Sequence, residues 1–143
     1  MTQKQIELIR STWSQVAILN PVDVGELFYG RIFEIAPQVR SMFHSPIPEQ
    51  SKKLFAMLNY IIGKLDKLDD ILYEVAKLAQ RHVIYGVKPD HYAVVGQALL
   101  WTLEKGLGES WNNDAREAWY NCYQVLSAAM INTSEVKEQH AAA

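Results

Sequence analysis

The stretch Asp69–Val95, DDILYEVAKLAQRHVIYGVKPDHYAVV, decides how this chain folds, and His82 is its most informative residue. On a period of about 3.6 residues, one stripe of this region is apolar and ends in that histidine. The apolar members of the stripe are Leu68, Ile71, Val75, Leu78 and Ala79. Gly86 and Pro89 end the helix, and a second apolar helix starts with Tyr92. The stretch alone leaves two interpretations of His82 open. It is either a core histidine that bonds to a backbone carbonyl, or it is itself the ligand of a bound group.

Length, charge and cysteine content limit the class of protein. The 143 residues are the size of one domain, and the formal charge of −2 gives no reason to expect nucleic acid or an anionic membrane as partner. No apolar run reaches the roughly 18 residues that a membrane span needs, and the N-terminus has no signal-peptide core. Cys122 is the only cysteine, which excludes an internal disulfide and a cysteine-based zinc site. We therefore expect a cytoplasmic protein without a membrane span.

Helical periodicity runs through almost the whole chain. Thr2 and Gln5 form a capping box before the first helix, Pro21 opens a second helix that reaches about Ile35, and Pro48 suits the start of a third. The apolar positions that we expect these and the last helix to bury include Ile6, Ile9, Trp13, Val16, Leu27, Phe28, Ile32, Cys122, Val125 and Leu126. Asp90 is the expected cap of the helix after Pro89.

No stretch alternates between polar and apolar residues for long enough to indicate a strand. The chain therefore predicts an all-α domain of six to eight helices over residues 1–133. Residues 134–143 are polar or alanine, and we expect a frayed C-terminal tail there.

Two small residues and four larger ones indicate a pocket opposite His82. Gly25 and Ser51 are small where larger residues would serve each helix better, so their helices are predicted to cross closely. The residues that this crossing would bring towards one wall are Tyr29, Phe43, Gln50 and Leu54. Taken from the residues alone, Tyr29 could be a core phenol bonded to a carbonyl, and Gln50 a surface amide.

The order of these residues resembles the globin family, and over most of the chain the bacterial single-domain haemoglobins related to the haem domain of flavohaemoglobins. The stretches that carry the resemblance are LFYGRIF (27–33), VRSMF (39–43), QSKKL (50–54) and RHVIYGVKPDHYAVVGQALL (81–100). Within that group, FHSPIPEQSKKL (43–54) is most similar to Hell's Gate globin. The resemblance covers about Ile6 to Met130 and implies a globin fold, a three-on-three helical sandwich.

The resemblance also implies a cofactor, haem b, and a role for each site residue. His82 would be the proximal iron ligand, with Phe43 wedged against the porphyrin. The remaining roles are Tyr29, Gln50 and Leu54 on the distal side, Val87 and Val95 beneath the haem, Lys53 and Arg81 as partners of the haem propionates, and Tyr92 holding His82. A neutral imidazole suits haem iron and leaves the sixth position open to a gas, to which a phenol and an amide can donate hydrogen bonds.

One departure from the family pattern concerns the proximal side. In flavohaemoglobins a glutamate joins the tyrosine that holds the proximal histidine, but the matching position here is Ser134, with Glu135 next to it. Strong anionic support of the iron is therefore in doubt. The chain has no Gly-rich turn of a flavin or nicotinamide domain, so turnover would need an external reductase. His44, His91 and His140 receive no role, and Cys122 is expected in the core.

Three functions fit this pocket. The first is reversible binding of dioxygen and other diatomic gases, nitric oxide and carbon monoxide, at a pentacoordinate or weakly hexacoordinate iron. The second is enzymatic, a nitric oxide dioxygenase that works with an external reductase. The third is a gas or redox sensor, which would need a separate output partner. We expect a monomer or weak dimer in each case.

Overall fold

Six α-helices joined by short 3₁₀ segments make up the described part of the chain in the computed structural model. The structure describes the backbone of residues 1–84 and 86–142, and the side chains of these residues except 72, 83, 84 and 133–142. The α-helices are α1 Gln3–Ala17, α2 Pro21–Ile35, α3 Ile47–Gly63, α4 Leu72–Ile84, α5 Pro89–Leu107 and α6 Asn113–Ala142. The 3₁₀ segments are Pro37–Met42, Leu65–Ile71 and Gly108–Ser110. No strand occurs in these described ranges, which confirms the all-α prediction.

The helix starts follow the residues that the sequence offers. The side chains and main chains of Thr2 and Gln5 exchange two hydrogen bonds of 3.1 Å, as the predicted capping box requires. Asn20 accepts a 2.9 Å bond from the Val22 main-chain N–H at the start of α2. Asp90 is not a cap, contrary to expectation. Pro89 already occupies the first helical position, so Lys88 precedes the helix, and its main-chain N–H donates to Nδ1 of His91 at 3.0 Å.

The larger core cluster lies between α1, α3, α4, α5 and α6. Trp119 links α6 to α1 in this cluster, because its indole N–H donates to Thr12 Oγ1 at 2.8 Å and both residues are buried. Cys122 is buried in this cluster, as expected. Leu27 and Val125 were expected inside but are 44% and 42% exposed. Each lies at the edge of a broad apolar arc, next to a neighbour that points inwards, because successive helical residues are rotated by about 100°.

The segment before His82 is kinked rather than continuous. Lys67 has non-helical dihedral angles of φ −139° and ψ 47° within the 3₁₀ segment, and α4 begins only at Leu72. Leu65 is only 3% exposed, so this segment before α4 contributes to the core. The apolar stripe of α4 nevertheless faces inwards, since Ile71, Val75 and Ala79 are buried.

The close crossing predicted for α2 and α3 is present. A Cβ atom built on Gly25 would overlap Oγ and Cβ of Ser51 and lie 3.1 Å from its Cα. Ser51 is fully buried, and its hydroxyl donates to the Ile47 carbonyl at 2.7 Å. No larger residue would allow the two backbones to approach this closely.

None of the helices in the described ranges is long and apolar enough to cross a membrane.

The crossing predicts unequal effects for two substitutions in one helix. Gly25→Ala should lower the free energy of unfolding by roughly 1–3 kcal/mol, because the added methyl group has no space beside Ser51. The matched change Gly30→Ala should be neutral or stabilise by up to about 1 kcal/mol, since nothing lies within 4 Å of its Cβ position. Chemical denaturation of both variants measures the difference. Equal effects of the two substitutions would contradict the crossing.

Candidate functional site

Four of the predicted site residues meet in a second core cluster, which α2, the turn after it, α3 and α5 build together. They are Tyr29, Phe43, Leu54 and Val95. The buried residues around them are Phe28, Ile32, Ala36, Val39 and Ala98. We call this cluster, without Val95, whose predicted position is beneath the haem, the distal wall. Its members come from positions up to 70 residues apart in the sequence, since Phe28 and Ala98 are both buried in it.

Aromatic edges hold Phe43 in the distal wall. Its ring lies 5.3 Å from the Tyr29 ring at an interplanar angle of 71°, and 5.4 Å from the Phe33 ring at 78°. Tyr29 in turn meets the Phe28 ring edge-on at 5.0 Å. Edge-to-face pairs of this kind favour one orientation of each ring. Phe43 is therefore a fixed, half-buried flat surface at the corner before α3.

Tyr29 is a buried neutral phenol with a weakly bound hydroxyl. Its side chain is 4% exposed, and burial raises its pKa to about 12, an effect that the Gln50 side chain partly opposes. The hydroxyl lies 3.5 Å from the main-chain oxygen of Gln50. That distance is at the long limit for an O–H···O bond. A better placed acceptor could therefore receive the hydrogen bond of the Tyr29 hydroxyl instead. Tyr29 is thus a hydrogen-bond donor at neutral pH.

His82 presents one ring nitrogen to the protein backbone. Nδ1 lies 2.7 Å from the Leu78 carbonyl oxygen, one helical turn earlier, so the Nδ1–H donates and Nε2 carries the free lone pair. Burial is the main cause that lowers the His82 pKa, and the Arg81 charge acts in the same direction. The ring is therefore neutral at pH 7. Within the described ranges no hydrogen bond is formed to Nε2.

The loop after α4 turns sharply beside His82. The Val87 main-chain N–H donates to the His82 carbonyl at 2.9 Å, and Gly86 adopts a φ of +89°, where a side chain would be strained. Val87 is half-buried, whereas Lys53 and Arg81 are exposed.

Tyr92, the tyrosine predicted to hold His82, has a neighbour that the sequence did not reveal. Tyr123 donates from its hydroxyl to the Tyr92 main-chain oxygen at 2.6 Å. Its ring lies against Gly96, where a Cβ would come within 2.9 Å of Cε2 of Tyr123. Burial raises the Tyr123 pKa far above its ordinary value. Gly96, a glycine within an apolar helix, is the sequence feature that could have indicated this close approach of Tyr123. Glu135 and Ser134, the candidates for proximal support, lie outside the described side chains, as does His140.

The residues present fit a haem. Haem iron requires a neutral imidazole nitrogen, and His82 provides Nε2 with the opposite nitrogen fixed by a carbonyl. The porphyrin requires flat apolar contacts, which Phe43, Leu54 and Val95 offer.

The described helices form an all-α protein whose site residues fit a haem. A sequence model of the globin family matches residues 26–130. A neuroglobin of Tetraodon nigroviridis is 31% identical over 91% of the chain and 90% of its own length. A flavohemoprotein of Bacillus subtilis is 29% identical over 92% of the chain but only 33% of its own length. A bacterial globin structure from Campylobacter jejuni superposes with a TM-score of 0.82 at 25% identity, covering 96% of this chain and 99% of that one.

The chain belongs to the globin family. The globin fold inferred from the sequence is thereby confirmed, together with the relation to bacterial globins and to the globin domain of flavohaemoglobins. Membership of this family implies haem as the cofactor and the binding of small gas molecules.

Proposed function

We propose that the protein binds dioxygen reversibly, and also nitric oxide and carbon monoxide, at a haem b held by His82. The iron would be pentacoordinate or weakly hexacoordinate in the absence of gas. The observation that carries this proposal is Tyr29, a buried neutral phenol whose hydroxyl lies 3.5 Å from the Gln50 backbone oxygen and also interacts with the Gln50 side chain. When bound, the haem supplies the reversible coordination of a diatomic gas.

On the proximal side, His82 would hold the haem through Nε2. The 2.7 Å bond from Nδ1–H to the Leu78 carbonyl fixes the ring orientation and increases the electron density on Nε2. Burial keeps the imidazole neutral, so no proton has to leave before it binds a metal. Val87 and Val95 would pack against the porphyrin, and Tyr92 would support the histidine from α5.

On the distal side, the wall would exclude water and present hydrogen-bond donors. Phe43 and Leu54 are apolar and half-buried there. Dioxygen held by haem iron carries partial negative charge on its oxygens, which the Tyr29 hydroxyl and the Gln50 amide can each stabilise. Each neutral hydrogen bond contributes about 1–1.5 kcal/mol. At the rim, the exposed Lys53 and Arg81 would pair with the propionates.

A second candidate is nitric oxide dioxygenase activity, and the similarity to flavohemoproteins favours it. That reaction combines dioxygen and nitric oxide to nitrate and consumes one electron per cycle. The chain spans only a third of the length of the Bacillus subtilis flavohemoprotein. In this candidate function an external reductase supplies the electron. Both activities would use the same pocket.

A cytoplasmic location and a monomeric or weakly dimeric state stay predictions.

His82→Ala should lose the Soret band of the purified protein or bind haem only loosely, because no other ring nitrogen occupies the apolar stripe of α4. His82→Gly with added imidazole should recover the ferrous spectrum, which distinguishes a lost ligand from a lost fold. His91→Ala is the matched control, since its ring bonds to the Lys88 backbone at the start of α5. An unchanged ferrous spectrum in His82→Ala would refute the ligand role.

Tyr29→Phe and Gln50→Leu should each speed the release of dioxygen about tenfold, since one hydrogen bond of roughly 1.4 kcal/mol corresponds to a factor of ten. The release of carbon monoxide, which carries much less charge on its oxygen, should change far less. Stopped-flow and flash photolysis measure both rates. Tyr60→Phe, at an exposed position of α3, is the control for loss of a phenol hydroxyl.

The two distal effects need not add, because the phenol can also bond to the amide. If the two substitutions altered both gases equally, the pair would act by shape. If dioxygen release did not change at all, the donors would not face the gas and the oxygen-binding proposal would lose its basis.

A further inference from the structure

A second cleft lies away from the haem site, between α2, α5 and the start of α6. Its volume is about 580 Å³, within the range of small-molecule sites. Its lining residues include Arg31, Trp101, Glu104, Trp111, Asn113 and Arg116. None of the residues assigned to the haem lines it. Arg31 follows Tyr29 by two positions in α2 and therefore projects from nearly the opposite side of that helix.

Arg31 is held in this cleft by a ring and is incompletely bonded. Its guanidinium carbon lies 5.0 Å from the centroid of the Trp101 ring, and Nη1 bonds to Glu34 at 3.0 Å. Its Nε–H is enclosed, and no acceptor for it exists among the described residues. Enclosed donors in proteins nearly always have a partner in protein, water or ligand. Arg31 is therefore a positioned donor that requires a further acceptor.

Positive charge and flat apolar surface adjoin Arg31. Arg116 lies in the first turn of α6, so the lining of the cleft includes two guanidinium groups and the carboxylate of Glu104. Lys105 also lies near the Trp101 ring, with Nζ 5.7 Å from its centroid. At the start of α6, Asn112 accepts a 2.9 Å bond from the Ala115 main-chain N–H, and Asp114 partly offsets the positive charge of the helix end. Trp101 and Trp111 supply two indole surfaces within the same cleft.

We propose that this cleft binds a small carboxylate with a flat aromatic body. A guanidinium stacked on a ring still presents its N–H edge, and that edge matches a carboxylate with two parallel hydrogen bonds. Arg31 and Arg116 provide such edges, and the aromatic body lies against the indole rings. Glu34 competes with the ligand for Nη1 of Arg31, and Glu104 opposes it by charge.

Isothermal titration of the haem-loaded protein tests this site, because the haem pocket is then filled. The probe is naphthalene-2-carboxylate, and its neutral counterpart is naphthalen-2-ylmethanol. We expect the carboxylate to bind with a Kd below about 1 mM and the alcohol at least about tenfold more weakly. Arg31→Gln and Arg116→Gln should each raise the Kd of the carboxylate about tenfold, the effect of one lost charge-assisted contact.

Two further variants separate the proposal from general damage to the fold. Glu34→Gln should lower the Kd of the carboxylate several-fold, because it releases Nη1 of Arg31. A misfolded protein would not gain affinity. Arg40→Gln is the matched control, because Arg40 also stacks on a ring, that of Phe33 at 5.1 Å, but lies outside the cleft.

Four results would overturn the site. The first is no carboxylate binding up to about 10 mM, and the second is an equally tight fit of the alcohol. The third is unchanged affinity in both arginine variants with the wild-type circular dichroism spectrum. A loss in Arg40→Gln as large as in Arg31→Gln would equally contradict it, because the effect would then follow total charge.

Discussion

The contact between Gly25 and Ser51 sets the geometry on which the proposed pocket depends. Because neither residue has a large side chain, the α2 and α3 backbones approach until a single added methyl group would overlap Ser51. Tyr29 follows Gly25 by one turn, and Gln50 directly precedes Ser51. The crossing therefore places the Tyr29 hydroxyl against the Gln50 backbone, and the turn between the helices brings Phe43 onto the Tyr29 ring. A wider crossing would separate the two donors.

The opposite side of the pocket depends on a different kind of constraint. His82 lies in the last turn of α4, where a bond to the Leu78 carbonyl determines which ring nitrogen is free. Burial lowers the pKa of the His82 imidazole and raises that of the Tyr29 phenol, so each group is neutral at pH 7. In the proposed site, the imidazole would then offer a lone pair to a metal and the phenol a hydrogen bond to a gas. This complementarity is why a gas-binding haem suits the site.

Much of this arrangement could be predicted from the sequence because it follows from local rules. The capping box at Thr2, the proline helix starts and the pair of small residues each act through a few neighbouring atoms. Long-range packing decided the rest. The kink at Lys67 lets Leu65 reach the core, Tyr123 reaches Tyr92 because Gly96 makes room, and Leu27 is exposed since α2 turns only part of its apolar arc inwards. The Arg31 cleft joins three helices, and no single stretch of sequence indicates it.

The central claim is that His82 and the distal wall hold a haem and a gas between them. A crystal structure of the dioxygen-bound protein tests it most directly. The account predicts iron bonded to Nε2 of His82, Nδ1 still bonded to the Leu78 carbonyl, and the Tyr29 hydroxyl moved from the Gln50 backbone to within about 3 Å of the dioxygen. An iron bonded to another residue, or a Tyr29 hydroxyl that keeps its bond to the Gln50 backbone while dioxygen is bound, would contradict it.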